Sequence, residues 1–378
     1  MSPRPTFGER LRNAFEKAVA RPGPVVLALA IGLAAGLLVR SATSAESKPT
    51  PTERHRAPIV RKESRPTKPA SPSQPKEDLI AAPTRGDIAA RMGRALTAVQ
   101  AYAEEQGDVR IGAAIAPLDG SALATAAGTL DRGRPWSTMK VPAAAAYLNF
   151  KREAAHASSG EETIPPGSTP REDLGNALVN SDNIAIRHRI QEMIGSLQAS
   201  GAAEAINSML QAGEALPQIQ AVIDPSIDSL QIGTGEWTLV EAATWFRRLQ
   251  VSAECLGLAP ADRKFILKQL RAAPTALHWG AATELDNSNI ALKPGWGAEG
   301  SQYTVEQAVI VGNGEEEEAE GFPSLEGGYV MVLMAVLPSS DPAALAEGQG
   351  HLAALAKAID QKMGTPGPNV EEGGASAC

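Results

Sequence analysis

Three short motifs supply the side chains that nucleophilic catalysis by serine requires. Ser137 and Lys140 form an S-x-x-K pair, in which an amine lies three residues from a hydroxyl. A Ser-Asp-Asn tripeptide follows at 181–183, and a Lys-Pro-Gly tripeptide follows at 293–295. Serine is a weak nucleophile until a base removes its proton, and lysine is such a base only when burial or nearby cations lower its pKa. The motifs therefore predict acyl transfer through a serine.

The setting of the first motif fits this chemistry. Ser137 precedes the apolar run VPAAAAYLNF, which predicts a helix, and Pro142 requires that helix to begin near the serine. Lys140 then lies on the same helix face as Ser137. Taken alone, such a pair is more often a capping serine beside an exposed lysine. A second S-x-x-K, at 73–76, lies in a proline-rich stretch, and we interpret it as a chance match.

The second motif lies within NALVNSDNIAIRHRI, where polar residues interrupt an apolar helical pattern. This pattern predicts a loop between two helices that faces a cleft. In that position Ser181 would pass a proton to a leaving group, and Asn183 would hold a substrate amide and the lysine. The alternative is an ordinary Asx turn or helix cap.

The third motif predicts a strand at the edge of a sheet, because Pro294 has no N–H to donate to a neighbouring strand. Lys293 would supply positive potential for a substrate carboxylate. The backbone N–H groups of Ser137 and Trp296 would form an oxyanion hole. The alternative is a glycine-rich turn with a surface lysine.

Together and in this order, the motifs resemble the active-site signature of class A β-lactamases and penicillin-binding proteins. The segments around them, PWSTMKVPAAAAYL, NALVNSDNIAI, GEWTLVEAATWFRRL and IALKPGWGAEG, are similar to that family as well. The resemblance spans residues 85–365. It implies an α/β part and an all-α part with the site between them, an acyl-enzyme on serine and no cofactor. The catalytic residues it implies are Ser137, Lys140 and Ser181, and the substrate-binding residues are Asn183, Lys293, Gly295 and Trp296.

Two departures from the family pattern bear on activity. Class A β-lactamases activate the deacylating water with a glutamate in an E-x-x-L-N segment, and no such segment occurs between the second and third motifs. Glu204, Glu214, Glu236 and Glu241 lie in that interval, but none is followed by Leu-Asn at the required offset. Pro294 also removes a hydroxyl that helps to bind the substrate carboxylate, a loss of about 1.5–3 kcal/mol. We therefore expect slow deacylation.

Hydrophobic periodicity predicts an α/β (α+β) domain, an antiparallel sheet with flanking N- and C-terminal helices plus an all-α subdomain. The sheet would combine strands from both ends of the domain, and 328–337 would be its buried central strand. The predicted order is a helix at 88–105, strands at 109–118 and 121–128 joined by a turn at Asp119-Gly120, a helical block at 137–275, strands at 289–296, 303–312 and 328–337, and a helix at 342–363.

The N-terminal region predicts export. Residues 1–23 are basic and 24–40 are apolar, which is typical of a membrane anchor or a cleaved signal peptide. Residues 41–84 are rich in proline, serine and charge, which predicts a disordered linker. Residues 1–84 carry a net charge of +7 within a total of −8, so the rest carries −15, which argues against nucleic-acid binding.

Metal chemistry is not expected, because the two cysteines and five histidines form no zinc-ligand spacing. A disulfide between Cys255 and Cys378 is compatible with export, although Cys378 ends a tail at 366–378 that is predicted to be flexible. Two functions remain open. One is a membrane-tethered serine hydrolase or acyltransferase that acts on a β-lactam-like molecule, an amide or a peptide, including peptidoglycan-derived ones. The other is a degenerate module of the same fold that binds envelope peptides or a partner protein.

Overall fold

The computed structural model describes residues 85–157, 167–212, 235–285, 290–312 and 328–364. The predicted basic tail, membrane segment and linker (1–84) and the C-terminal tail (366–378) lie outside these residues. Within the described ranges, no helix combines the length and the apolar character needed to cross a membrane.

A five-stranded antiparallel sheet forms the centre of the domain, in the order β2-β1-β7-β6-β5. Its central strand is the almost wholly apolar segment that the sequence predicts to be buried, and every residue of that strand is buried. A separate two-stranded ribbon pairs β3 with β4. The strands are β1 (Arg110–Pro117), β2 (Thr125–Gly128), β3 (Arg132–Gly133), β4 (Trp237–Thr238), β5 (Ile290–Glu299), β6 (Gln302–Val311) and β7 (Tyr329–Leu337).

Helices cover both faces of the sheet. The terminal helices α1 and α8 pack together on one face, and α5 packs on the other, next to an all-α part built from α2, α3, α4 and α6. The helices are α1 (Arg85–Glu104), α2 (Lys140–Ala157), α3 (Thr169–Val179), α4 (Asn183–Ala212), α5 (Leu239–Val251), α6 (Pro260–Arg271), the one-turn α7 (Ala281–Glu284) and α8 (Ala344–Met363). The predicted fold class is confirmed.

The apolar spacing of the terminal helices explains their position. In α1, Ile88 and Val99 are buried against the sheet, and in α8, Leu352 and Ile359 are fully buried. These side chains recur at helical spacing, so that one stripe of each helix is apolar and faces the same cluster. The two ends of the domain are therefore fixed to one face of the sheet, and the other face is left for the helices that carry the motifs.

The local sequence explains several element boundaries. Thr238 and Glu241 form a reciprocal capping box at the start of α5. The predicted turn at Asp119-Gly120 is present, with Gly120 at a positive φ of 70° and Asp119 accepting a hydrogen bond from Ser121 N. The second strand is shorter than the sequence predicts, because it pairs with β1 only from Thr125 onward.

Candidate active site

The nucleophile candidate lies on a tight turn between the β3 ribbon and α2. Residues Trp136–Met139 form a 3-10 helix, and the α-helix begins only at Lys140. Ser137 therefore precedes the α-helix instead of opening it, which refines the expectation drawn from the sequence. Trp136 has a φ of 43°, a left-handed conformation that is uncommon for a bulky residue. Pro142 is the third residue of α2, where proline is tolerated.

The side chain of Lys140 reaches back to the serine, as the spacing predicts. Lys140 Nζ lies 3.0 Å from Ser137 Oγ and 3.1 Å from Ser181 Oγ. It also donates to the backbone carbonyl of Ser181. The lysine is only 2% exposed. Its neutral amine could accept the serine proton at this distance without any rearrangement.

Burial changes the acid strength of this lysine in the direction that catalysis needs. Desolvation lowers the pKa of Lys140 to about 8, against a smaller opposing effect of the Asp182 carboxylate. With that pKa, about one tenth of the Lys140 side chains are neutral at pH 7, roughly two hundredfold more than for an ordinary lysine. The sequence argument left the burial of Lys140 open, and the structure shows that it is buried.

The second motif forms the loop that the sequence predicts between two helices. Helix α3 ends at Val179 and α4 begins at Asn183. Ser181 has a φ of 57°, a conformation that non-glycine residues adopt rarely and that is common at functional sites. Asp182 Oδ1 accepts hydrogen bonds from Ile184 N at 2.7 Å and Ala185 N at 3.2 Å, so it caps α4. This cap holds the serine over the lysine.

The third motif brings a second lysine to the same serine. Strand β5 is at the edge of the sheet, as Pro294 predicts, and Lys293 Nζ donates to Ser181 Oγ at 2.8 Å. Lys293 is fully buried, and burial followed by the nearby charge of Lys140 lowers its pKa well below the ordinary value. The structure thus joins Ser137, Lys140, Ser181 and Lys293 in one continuous hydrogen-bonded chain.

Strand β5 approaches the nucleophile turn closely at a glycine. A Cβ placed on Gly295 would lie 2.6 Å from Pro135 O and 3.0 Å from Ser137 N. Only a residue without a side chain allows this contact. The ring of Trp296 packs edge-on against Trp279 at 5.9 Å, within the apolar cluster of the terminal helices. That ring therefore faces away from the nucleophile, and the backbone of Trp296 is the part that remains on the strand beside Gly295.

The remaining candidate residues are less closely connected to the site. Asn183 is the first residue of α4 and is exposed. Among the possible deacylating glutamates, Glu204 and Glu236 are exposed, and Glu241 is engaged in the cap of α5. Glu214 lies outside the described residues. Within those residues, none of these glutamates is hydrogen-bonded to Ser137 or Lys140.

The sequence argument did not single out Glu306, a glutamate on β6 that is completely buried directly behind the nucleophile turn. It contacts Thr138, the residue after the nucleophile. Within the described residues, no group of three or more histidine, cysteine, aspartate and glutamate side chains is arranged to hold a metal ion. The possible disulfide between Cys255 and Cys378 falls outside the described residues, because Cys378 does.

The fold of the chain can be compared with those of known proteins. No protein-family model and no curated protein matches the chain. Solved structures do match: L2 complexed with relebactam has a TM-score of 0.50 at 16% identity, over 73% of this chain and 100% of that one. A β-lactamase from Streptosporangium roseum has a TM-score of 0.51 at 17% identity, over 71% and 98%. A mutant of PBP-A, as its acyl-enzyme complex with penicillin G, has a TM-score of 0.50 at 17% identity, over 71% and 97%.

At these identities the likeness defines the fold. The chain has the fold of class A β-lactamases and penicillin-binding proteins, and it spans nearly the whole length of those structures. This agrees with the resemblance that the three motifs indicate. The chemistry of the site is a separate question, which rests on the side chains of this chain.

Proposed function

We propose that this protein is an exported, membrane-tethered serine hydrolase or acyltransferase that works through an acyl-enzyme on Ser137. The observation that carries the proposal is the buried Lys140 amine, 3.0 Å from Ser137 Oγ, with a pKa lowered by burial to about 8. A lysine in that state is a general base at neutral pH. The resemblance to penicillin-binding proteins supports a β-lactam-like molecule, an amide or a peptide as substrate, including peptidoglycan-derived ones.

The proposed reaction uses each member of the hydrogen-bonded chain. Lys140 takes the proton of Ser137, and Oγ attacks the carbonyl carbon of the substrate. Backbone N–H groups beside β5 stabilise the oxyanion. Ser181, which is bonded to both lysines, gives its proton to the leaving nitrogen and regains one from Lys140. The C–N bond breaks, the amine leaves, and an ester on Ser137 remains.

Release of the acyl group would be slow. Water must attack the ester, and the described glutamates that the sequence argument weighed are exposed (Glu204 and Glu236) or engaged in a helix cap (Glu241). This supports a slow peptidase or acyltransferase over a fast β-lactamase. Tethering by residues 24–40 would hold the domain at the outer face of the cell membrane, within reach of peptidoglycan.

A second candidate function is a binding module that retains the fold without turnover. Pro294 favours it, because the proline has no hydroxyl or N–H with which to bind a substrate carboxylate. The hydrogen-bonded chain through both lysines opposes it, because a site released from catalysis has no need for two buried amines at one serine.

Labelling of the full chain in detergent with a fluorescent penicillin tests the proposal. We expect a covalent adduct by gel and intact mass, absent in Ser137→Ala, and reduced 10²–10⁴-fold in rate in Lys140→Arg. Lys264→Arg, at an exposed position on α6, is the matched control and should label normally. A lifetime of hours would support the slow enzyme. Labelling that persists in Ser137→Ala would overturn the proposal, and absence of labelling with every β-lactam and peptide ester tried would favour the binding module.

A further inference from the structure

The proposed reaction makes no use of Glu306, although its position is unusual. The side chain is fully buried on β6, in register with Gly295 of the neighbouring strand. Its Oε2 lies 3.0 Å from Thr138 Oγ1, and its Oε1 accepts a hydrogen bond from Trp237 Nε1 at 3.0 Å. A buried carboxyl is costly unless its oxygens are satisfied, so this arrangement calls for an explanation.

A count of protons indicates which form of the carboxyl fits. The Thr138 hydroxyl is in hydrogen-bonding contact with both Pro135 O and Glu306 Oε2. A hydroxyl has one proton, and a carbonyl oxygen can only accept, so the contact with Pro135 uses that proton. The contact with Glu306 then needs a proton from the carboxyl itself. An uncharged acid supplies that proton. With a carboxylate, Thr138 Oγ1 and Glu306 Oε2 would face each other as two acceptors with no proton between them.

The surroundings of Glu306 also favour the uncharged form. Within the described residues, no lysine, arginine or histidine forms an ion pair with it. Burial raises its pKa well above the ordinary value, by more than the hydrogen bonds from Thr138 and Trp237 lower it. Charged groups on the elements around it make contacts elsewhere; they include Lys140, Lys293, Arg132 on β3, Glu241 on α5 and Glu299 on β5.

We propose that Glu306 is a positioning residue for Ser137. As an uncharged acid, Glu306 donates a hydrogen bond to Thr138 Oγ1 and so holds the turn that carries the nucleophile. The turn is short, and Thr138 anchors it from inside through both its hydroxyl and its N–H, each bonded to Pro135 O. The inference rests on the proposed function only for the role of Ser137. The hydrogen-bond network itself stands whether or not the serine reacts.

Unfolding by urea tests the protonation of Glu306 without reference to activity. An unfolded glutamate releases its proton near pH 4.3, so as the pH rises above about 5 wild type should lose stability relative to Glu306→Gln. The loss is about tenfold in the unfolding equilibrium constant per pH unit until the pH reaches the raised pKa of the folded state. The glutamine keeps one donor and one acceptor and carries no charge. Glu204→Gln, an exposed carboxylate on α4, is the control and should show no such trend. A difference in stability between wild type and Glu306→Gln that stays constant above pH 5 would contradict an uncharged Glu306.

Hydrogen exchange and acylation test the positioning role. In Glu306→Ala, we expect faster amide exchange in the peptide that contains 136–139 and at least a tenfold slower acylation of Ser137, with both restored towards wild type in Glu306→Gln. Thr138→Val should resemble Glu306→Ala, and Thr138→Ser should resemble wild type. Unchanged exchange in folded Glu306→Ala would overturn the positioning role. If no variant, wild type included, is acylated, the exchange result still decides this inference while the proposed function fails.

Discussion

Lys140 and Lys293 reach the same hydroxyl from opposite sides of the site. Lys140 extends from the start of α2 and Lys293 from the edge strand β5, and their Nζ atoms lie 3.1 Å and 2.8 Å from Ser181 Oγ. Both lysines are buried, so a charge on one opposes a charge on the other. The two amines are therefore expected to titrate as a pair, and in the proposed reaction they would share the transferred proton through Ser181.

The pH dependence of acylation follows from this pair. Because burial lowers the pKa of Lys140 to about 8, the neutral amine accumulates as pH rises. The acylation rate of Ser137 should therefore increase about tenfold per unit at lower pH and level off above an apparent pKa near 8, a value that belongs to the pair. Stopped-flow measurement with a chromogenic β-lactam between pH 5.5 and 9.5 checks this. A rate that is flat over the range, with folding intact, would rule out an amine as the base.

Two substitutions of Asp182 distinguish its electrostatic effect on Lys140 from its role as the cap of α4. The carboxylate raises the pKa of Lys140 and also caps the helix. Asp182→Asn retains the cap, because asparagine and aspartate are about equally good at that position. We expect its stability to be unchanged and the apparent pKa of acylation to fall. Asp182→Ala should show the same fall in pKa and lose about 1 kcal/mol of stability. An unchanged pH profile in both variants would mean that Asp182 does not act on the lysine.

Restoration of a hydroxyl at position 294 should strengthen recognition of a substrate carboxylate. Pro294→Thr adds an O–H beside Lys293 and an N–H on an edge strand that tolerates either residue. A hydrogen bond to a charged group contributes about 1.5–3 kcal/mol, so a carboxylate-bearing β-lactam should acylate about 10–100-fold more efficiently. The methyl ester of the same β-lactam should gain little. Pro338→Thr, at an exposed position after β7, controls for the loss of a proline. Equal gains for acid and ester would contradict a carboxylate contact.

Much of the fold could be predicted from the sequence because its signals are local. The apolar run of β7 and the proline at 294 are each read from a few neighbouring residues, and they predict the central and the edge strand correctly. The S-x-x-K spacing likewise brings an amine to Ser137 within one turn of chain. The Ser-Asp-Asn loop follows from the interruption of an apolar helical pattern.

The parts that could not be predicted depend on contacts distant in the chain. Glu306 and Gln307 are adjacent polar residues in a strand, and alternation predicts that one of them faces solvent. Both are fully buried. The hydrogen-bond partners of Glu306, Trp237 and Thr138, are 69 and 168 residues earlier in the sequence, so no local pattern predicts them. The burial of Lys293 has the same origin, since it depends on helices that cover β5 from elsewhere in the chain.

The contact between β5 and the nucleophile turn makes a final prediction about Gly295. A Cβ at this position would meet Pro135 O at 2.6 Å and Ser137 N at 3.0 Å, both backbone atoms that cannot move aside without displacing the nucleophile. Gly295→Ala should therefore lower stability by about 1–3 kcal/mol, and in the folded variant acylation should fall more than tenfold because the turn has shifted. Gly350→Ala is the matched control, since α8 leaves open space there and helix propensity favours alanine by about 1 kcal/mol. Urea unfolding and acylation of both variants measure the two effects. A Gly295→Ala protein as stable and as reactive as wild type would show that the turn does not depend on this close approach.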